Sequence, residues 1–522
     1  MPPDRGVARA KRRGRRTPDA RLTKPVGASR RERRLAETRR YRPSDPAVRT
    51  GPSDRGEHSR GLFYDSPGCT DTQTATTAAY TTPMESKHFL FVSADAALIT
   101  DLAWQVHREG HDVKYYIEAE SDREIGDGFV PKTDDWRAEV DWADVVVFDD
   151  IWVGSDVGTG ELAQELRERG TAVVGGTPNT DRLEEDRGYA MEILEDHGVD
   201  TIDHHVFEDF DAGIRHVREN PAPYVVKPLG EVQNVKRLLY VGNEDDGSDV
   251  VDVLGAYKKA WGHRMKGFQL QRKVEGVEIA ICGFFNGERF VDQVNFNFEH
   301  KKLFPGNIGP STGEMGTSMF WGGRNELFEE TFGKLEGWLG EEGYVGSIDI
   351  NCIVNENGIY PLEFTPRFGY PTIALQEESI ESSTGEFFYD LAHGNDPELA
   401  VHGGYQVGVR VVLPPFPFDD EKTYDENSRN GAVVFQTESR AGIHLEDTKN
   451  VDGQWRVAGE SGMPVVVTGK GETMRAAREQ AYDRIDDIAM PNMYYRDDIG
   501  ERWIDGDGDR LLAWGYLGPG GE

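Results

Sequence analysis

The pattern of this chain predicts a mixed α/β and α+β protein in three parts. Three observations carry that reading: strand and helix alternate from His88, a strand-rich stretch follows Tyr224, and beyond Ala400 the strands are joined by one long amphipathic helix. In the first part an apolar run over 88–94 precedes a stripe of Leu98, Ile99, Leu102, Ala103 and Val106, and a second run covers 113–117. That is a βαβ unit. Runs over 145–148 and 172–175 around a helix at 161–169 extend it, predicting a small open parallel sheet over residues 84–182. Ser93-Ala94-Asp95-Ala96 follows the first strand where phosphate-cradling glycines would stand, so no nicotinamide or flavin cofactor is expected.

A helix expected over 183–197 opens the second part, residues 183–400. Strands are expected at 224–227, 268–273, 278–285, 289–297, 347–354 and 359–365, with Gly and Asn turns between them. The third part, residues 401–522, should hold strands near 406–413 and 465–468. Its helix carries the stripe Met474, Ala477, Ala481, Ile485 and Ile488.

The chain has 522 residues and a formal net charge of −34. Residues 1–83 carry 19 Lys+Arg against 9 Asp+Glu, which leaves 40 and 84 for the remainder. The basic segment has no apolar periodicity and is expected to be disordered, as sequence lying ahead of a start at Met84. The carboxylate excess of the rest suits a halophilic protein, whose self-repulsion is screened by concentrated salt, and it argues against nucleic-acid binding. Three cysteines, Cys69, Cys282 and Cys352, make no disulfide framework. With no apolar run long enough to cross a membrane and no signal peptide, a cytoplasmic protein is expected.

The most informative segment is the hairpin predicted from Ser347-Ile-Asp-Ile-Asn-Cys-Ile-Val354 and Ile359-Tyr-Pro-Leu-Glu-Phe-Thr365. Alternation puts Asp349 and Asn351 on one face of the first strand, and Glu363 and Thr365 on one face of the second. A loop centred on Glu356 would set Asp349 directly opposite Glu363. Two carboxylates so placed repel unless a cation lies between them, and Mg²⁺ bound also to substrate phosphates is a common answer. Arg367, four residues after Glu363, is suited to bidentate contact with phosphate.

These residues resemble the ATP-grasp superfamily, in which a Glu-x-Asn pair and a carboxylate on the preceding strand bind magnesium beside an Arg. The resemblance implies metal ligands at Asp349, Glu363 and Thr365, the last standing at the Asn position as a weaker hydroxyl ligand, and a catalytic role for Arg367. Within the superfamily, Gly309-Pro-Ser-Thr-Gly-Glu-Met-Gly316 is similar to the Gly-Pro-Asn-Thr-Gly-Gly-Met-Gly loop of the phosphoribosylamine–glycine ligase family. Glu363-Phe-Thr-Pro-Arg-Phe-Gly369 is similar to its Glu-Phe-Asn-x-Arg-Phe-Gly, and Tyr495-Arg-Asp-Asp-Ile-Gly500 to its Tyr-Arg-x-Asp-Ile-Gly. The resemblance spans about Met84 to Trp503. It implies an open-sheet pre-ATP-grasp domain, a two-lobed ATP-grasp body and a small α+β C-terminal domain.

It also implies that Arg187, Lys227, Gln271, Val274 and Glu278 meet ATP, while Gly309, Ser311, Thr312, Gly313, Met315 and Gly316 shape the substrate loop. Cofactors would be ATP and Mg²⁺ or Mn²⁺, and partners small-molecule carboxylates and amines, on a monomer or homodimer. Against this stand three departures: no glycine-rich loop after the first strand, Gly230-Glu-Val-Gln-Asn-Val-Lys236 in place of a Gly-Lys-Gly lid, and Tyr370-Pro371-Thr372 in place of Asp-Pro-Glu. Met191 is uncharged where the family has a second phosphate-contacting residue. The expected activity is therefore an ATP-dependent carboxylate–amine ligase of open substrate. The alternatives are phosphoribosylamine–glycine ligase itself and a non-catalytic nucleotide-binding regulator. His204-His205 is expected at the surface and Phe320-Trp321 in the core, neither with a role.

Overall fold

A computed structural model describes residues 85–518, apart from 94–96, 154–156, 234 and 236–237. The disorder expected over residues 1–83, the Ala94-Asp95-Ala96 segment and part of the segment after Gly230 lie outside the described residues. Elements are numbered in chain order among those that position the site.

The first sheet is parallel, in the order β2-β1-β3-β4: β1 His88–Ser93, β2 Asp112–Ile117, β3 Val145–Phe148 and β4 Ala172–Val174. Its central strands are apolar on both faces because helices cover both, as parallel sheets require. Helix α1 (Thr100–Arg108) buries Leu102, Ala103 and Val106, and α2 (Thr159–Glu168) buries Ala163 and Leu166.

The single helix expected over 183–197 is two. α3 (Pro178–Glu185) starts at the Thr177 cap with Pro178 in its first turn, and α4 (Arg187–Asp196) starts afresh. Asp186 between them is extended, and its carboxylate accepts from the backbone N–H groups of Gly188 and Tyr189, each at 3.1 Å. An Asp that caps the second helix cannot continue the first.

A second, antiparallel sheet has the order β5-β8-β6-β7: β5 His204–Phe207, β6 Tyr224–Pro228, β7 Tyr240–Val241 and β8 Phe268–Arg272. The third is an eight-stranded antiparallel sheet of β9 Val277–Asn286, β10 Val294–Glu299, β13 Gly316–Gly322, β14 Val345–Asn355, β15 Gly358–Thr365, β16 Tyr405–Val411, β17 Ile443–Leu445 and β18 Val465–Gly471. Its order is β15-β14-β9-β10-β13-β16-β18-β17. A small hairpin, β11 Lys302–Phe304 and β12 Ile308–Ser311, stands beside it. Gly316 pairs with Val409, so the sheet runs unbroken past residue 400.

β10 begins later than the strand expected over 289–297. Asn286 Oδ1 accepts from Glu288 and Arg289 N–H to close a turn, and Gln293 has φ +75°, a conformation no strand propagates. The expected C-terminal helix, α6 (Met474–Asp486), buries Met474, Ala477, Ala481 and Ile485, but Ile488 falls in a short strand paired with Phe435. The helix that follows β15, α5 (Thr372–Ser379), leads into a buried ion group. His444 Nδ1 lies 2.9 Å from Asp101 of α1 and 3.3 Å from Glu377 of α5, joining three segments distant in sequence. Among the described residues no helix is long and apolar enough to cross a membrane.

Candidate active site

The second and third sheets face one another across a cleft of about 1820 Å³, whose rim includes Leu98 and Asp150 from the first part. Ala190, Met191, Ile202, Val225 and Ile353 make one wall apolar. Met191, 3 % exposed, contributes packing there rather than charge.

The hairpin of β14 and β15 supplies the acidic floor, in a register other than the expected one. Its turn is Glu356-Asn357, with Asn355 opposite Gly358 and Cys352 opposite Pro361. An irregularity between Asn351 and Cys352 then leaves Leu362 unpaired. Pro361 has no N–H to give the ladder, which suits a bulge. The slip sets Asp349 opposite Thr365 and Asn351 opposite Glu363, so Asp349 and Glu363 are diagonal neighbours rather than a direct pair. Thr365 donates to Asp349, yet Asp349 Oδ1 has no partner among the described residues. Burial first, then the charge of Glu299, raises the Asp349 pKa well above the carboxylate range.

Sequence reasoning missed Lys301, which organises this floor. Its ammonium lies 2.8 Å from Glu363, 3.1 Å from Glu299 and 3.4 Å from Glu278. Burial works to lower the Lys301 pKa, but the three carboxylates outweigh it and raise it well above 10.5. Lys301 in turn is the main reason that Glu363, open to the cleft, is held down to about 2, with Lys227 and Arg187 adding to the effect. Asn351 Nδ2 donates to Glu299 at 3.0 Å. Lys301 lies two residues beyond the end of β10, and the alternating polar Asn295, Asn297 and Glu299 on that central strand, the last of which lines the cleft, were the available signal.

Lys227 sits on β6, 6 % exposed, and burial with the nearby Arg187 charge pushes its pKa down to about 8. Arg187, at the start of α4, donates to the Pro228 carbonyl at 3.1 Å. Gln271 and Val274 lie at the passage from β8 to β9, and both line the cleft with Glu278. Gln271 is 1 % exposed and its Nε2 has no partner among the described residues. In the partly described loop after Gly230, Gln233 Nε2 donates to the Glu185 carbonyl at 2.7 Å.

Arg367 is engaged by two acidic side chains. Its guanidinium makes a bidentate contact with Glu184 at 2.7 and 3.1 Å, with Asp150 at 3.4 Å. Burial opposes its charge, and Glu184 and Asp150 raise its pKa against that burial. Glu184 at the end of α3 is therefore the partner that positions Arg367 beside the cleft.

Of the loop residues, Ser311, Thr312 and Gly313 reach the cleft, and Gly309, Met315 and Gly316 do not. Gly309 has φ +88° and a side chain there would strike the Phe304 ring, while Met315 packs with Leu303 and Val412. A Cβ on Gly316 would meet the Gly408 carbonyl at 2.6 Å. The Tyr495–Gly500 motif braces this hairpin: fully buried Arg496 donates to the Lys302 carbonyl at 2.8 Å and to Asn307, and Asp498 accepts from Gly306 N–H at 2.9 Å. Phe320 and Trp321 are buried, Trp321 donating to Ser379 at 2.7 Å, and His204 and His205 lie on an edge strand.

The fold has counterparts among known proteins. Residues 185–373 match the family described as phosphoribosylglycinamide synthetase, ATP-grasp (A) domain. The chain carries an ATP-grasp domain. Among curated relatives, the phosphoribosylamine–glycine ligase of Halalkalibacterium halodurans is 24 % identical over 356 residues, 66 % of this chain and 79 % of that one. The crystal structure of phosphoribosylamine–glycine ligase from Thermotoga maritima superposes with a TM-score of 0.59 at 21 % identity, covering 79 % of this chain and all of that one. A biotin carboxylase complex from Campylobacter jejuni has a TM-score of 0.55 at 11 % identity, covering 81 % and 96 %. These likenesses establish the ATP-grasp fold, with the open parallel sheet ahead of it and the shared antiparallel sheet through and beyond it.

Proposed function

We propose that this protein is an ATP-dependent carboxylate–amine ligase, using ATP and Mg²⁺ or Mn²⁺ to form an acyl phosphate and then an amide. The observation that carries the reading is the division of charge within one cleft. Two cations, the buried Lys227 and the half-buried Arg187, line the same cleft as Asp349 and Glu363, and Lys301 pairs with Glu363. A polyphosphate needs such cations, and a metal needs such a floor.

The residues fit a divalent ion. Asp349 has an unpartnered oxygen and a pKa raised by burial and neighbouring charge, which a dication would reverse. Asp349, Glu363 and Thr365 would hold it, and when bound it supplies positive charge to the terminal phosphates. Thr365 acts chiefly by turning Asp349 through its hydroxyl. Lys227 and Arg187 neutralise the triphosphate, Gln271 and Val274 border the base and Glu278 steadies Lys301. Arg367, held by Glu184, meets the charge that develops as the γ-phosphoryl group moves to a carboxylate oxygen.

In the second half-reaction an amine nitrogen bonds to the acyl carbon while the carbon–oxygen bond to phosphate breaks. Phosphate leaves with the electron pair and the nitrogen gives up a proton. Ser311, Thr312 and Gly313 border the place where these groups meet. We place the protein in the cytoplasm as a monomer or homodimer, and its carboxylate excess supports a salt-adapted cell.

The relatives named above favour a second reading, in which glycine and phosphoribosylamine are the substrates. ADP release in the presence of MgATP decides between them. Turnover with a carboxylate and an amine other than that pair supports the open-substrate ligase, turnover with that pair alone supports the second reading, and MgATP binding with no turnover for any pair supports a non-catalytic nucleotide binder.

A further inference from the structure

One carboxylate in the cleft has no part in the scheme above. Glu314 lies between Gly313 and Met315 in the segment joining β12 to β13, lines the cleft, and is 5 % exposed. Its backbone is fixed on both sides. Thr312 N–H donates to the Lys301 carbonyl at 2.8 Å, Met315 N–H to the His300 carbonyl at 2.9 Å, and Arg410 N–H to the Met315 carbonyl at 3.1 Å. The side chain is therefore delivered to one place.

Among the described residues no cation makes an ion pair with its carboxylate, although the charges of Arg410 and Lys301 act on it. Arg410 of β16 is near, but its Nη1 donates to the backbone carbonyl of Glu314 at 3.1 Å and its Nη2 lies 3.4 Å from Glu446. Lys301 already serves Glu278, Glu299 and Glu363. Glu314 Oε1 has no hydrogen-bond partner among the described residues, and the neighbouring charges include Glu299 and Asp349. A buried carboxylate oxygen without a donor is destabilising, and the cleft is the side from which a donor can come. In the similar loop motif quoted above, a glycine stands where Glu314 stands, so the charge is this chain's own.

We propose that Glu314 receives a cationic nitrogen of the amine substrate, so that the acceptor carries a second ammonium or guanidinium group besides the amine that is acylated. This rests on the ligase reading. The substrate class is then diamines or amino acids with basic side chains, and glycine lacks the group that Glu314 calls for.

The test is calorimetric titration of the full chain with 1,4-diaminobutane, L-lysine and L-arginine, against n-butylamine and glycine. It is run at one salt concentration, with and without MgATP. Glu314→Gln keeps the shape and removes the charge, and Glu314→Gly gives a second variant should the first unfold. At least one basic probe should bind the wild-type protein at least about 10-fold tighter than n-butylamine, and the variants should lose about 10- to 100-fold of that preference with MgATP affinity unchanged. The proposal is overturned if the basic probes show no preference over n-butylamine, if the variants keep it, or if they instead shift the Mg²⁺ dependence of ATP binding, which would make Glu314 a metal ligand. Failure of MgATP itself to bind would strike the ligase reading, while the amine preference is still read from the titrations without nucleotide.

Discussion

Lys227→Met should make the ligand-free protein more stable while stripping it of its nucleotide. Lys227 is 6 % exposed, and its pKa is pushed from 10.5 to about 8 by burial and then by Arg187, with Glu363 and Glu278 only partly offsetting them. That gap corresponds to about 3 kcal/mol against the charged form, a ceiling for what removing the charge returns at pH 7. Because the folded-state value lies below the unfolded one, the folded chain binds fewer protons at this site between pH 8 and 10.5. Stability rises with pH across that window, and below pH 8 the penalty is fully present. Methionine keeps the length and adds no polar atom. Urea unfolding of ligand-free protein at pH 7 should therefore show the variant more stable by about 1–3 kcal/mol, a difference that shrinks toward pH 10.5. Titration with MgATP should show affinity lowered by about 10- to 100-fold, the worth of one charged hydrogen bond. A variant less stable than wild type at pH 7 would refute the reasoning, since Lys227 would then be held by native ion pairs rather than strained by its site.

Four further outcomes follow from the same geometry. Glu363→Gln should cut Mg²⁺-dependent ADP release at least about 100-fold, measured by coupled assay; unchanged release would remove Glu363 from the metal site. Lys301→Met leaves Glu278, Glu299 and Glu363 without their shared cation and should cost about 3 kcal/mol in urea unfolding, less as pH falls toward 4 and the carboxylates protonate. Arg367→Lys keeps the charge but cannot span both Glu184 oxygens, so kcat should fall by more than the KM for ATP rises, read from steady-state kinetics. His444→Gln tests the remote ion group. Burial works against the His444 charge, but Asp101 and Glu377 raise its pKa to about 10, above the ordinary 6.5. Its contribution is whole below pH 6.5 and lost toward pH 10, so the stability gap between wild type and variant should narrow over that range in urea unfolding.

The sequence disclosed most where periodicity was strong. The parallel sheet and the long strands 277–286 and 345–355 were legible because an apolar face repeats every second residue or runs unbroken. It disclosed less where one residue changes the local rule. Asp186 divides one apparent helix by capping the next, Gln293 delays a strand through a left-handed backbone, and the Glu356-Asn357 turn and the bulge beside Pro361 together move Asp349 from Glu363 to Thr365. The residues named for nucleotide and metal come together because their motifs lie on strands that the sheets bring to one cleft. Lys301, Glu184 and Glu314 stayed hidden since their importance comes from neighbours 62, 183 and 96 positions away in sequence, such as Glu363, Arg367 and Arg410.

The central claim is transfer of the γ-phosphoryl group to a carboxylate oxygen, and isotope transfer tests it most directly. A carboxylate substrate labelled with ¹⁸O in both oxygens is incubated with the protein, MgATP and its amine partner, and the released phosphate is weighed by mass spectrometry. One ¹⁸O atom in each phosphate is the result the account predicts, because the carbon–oxygen bond breaks when the amide forms. Phosphate free of label, with turnover intact, would contradict it.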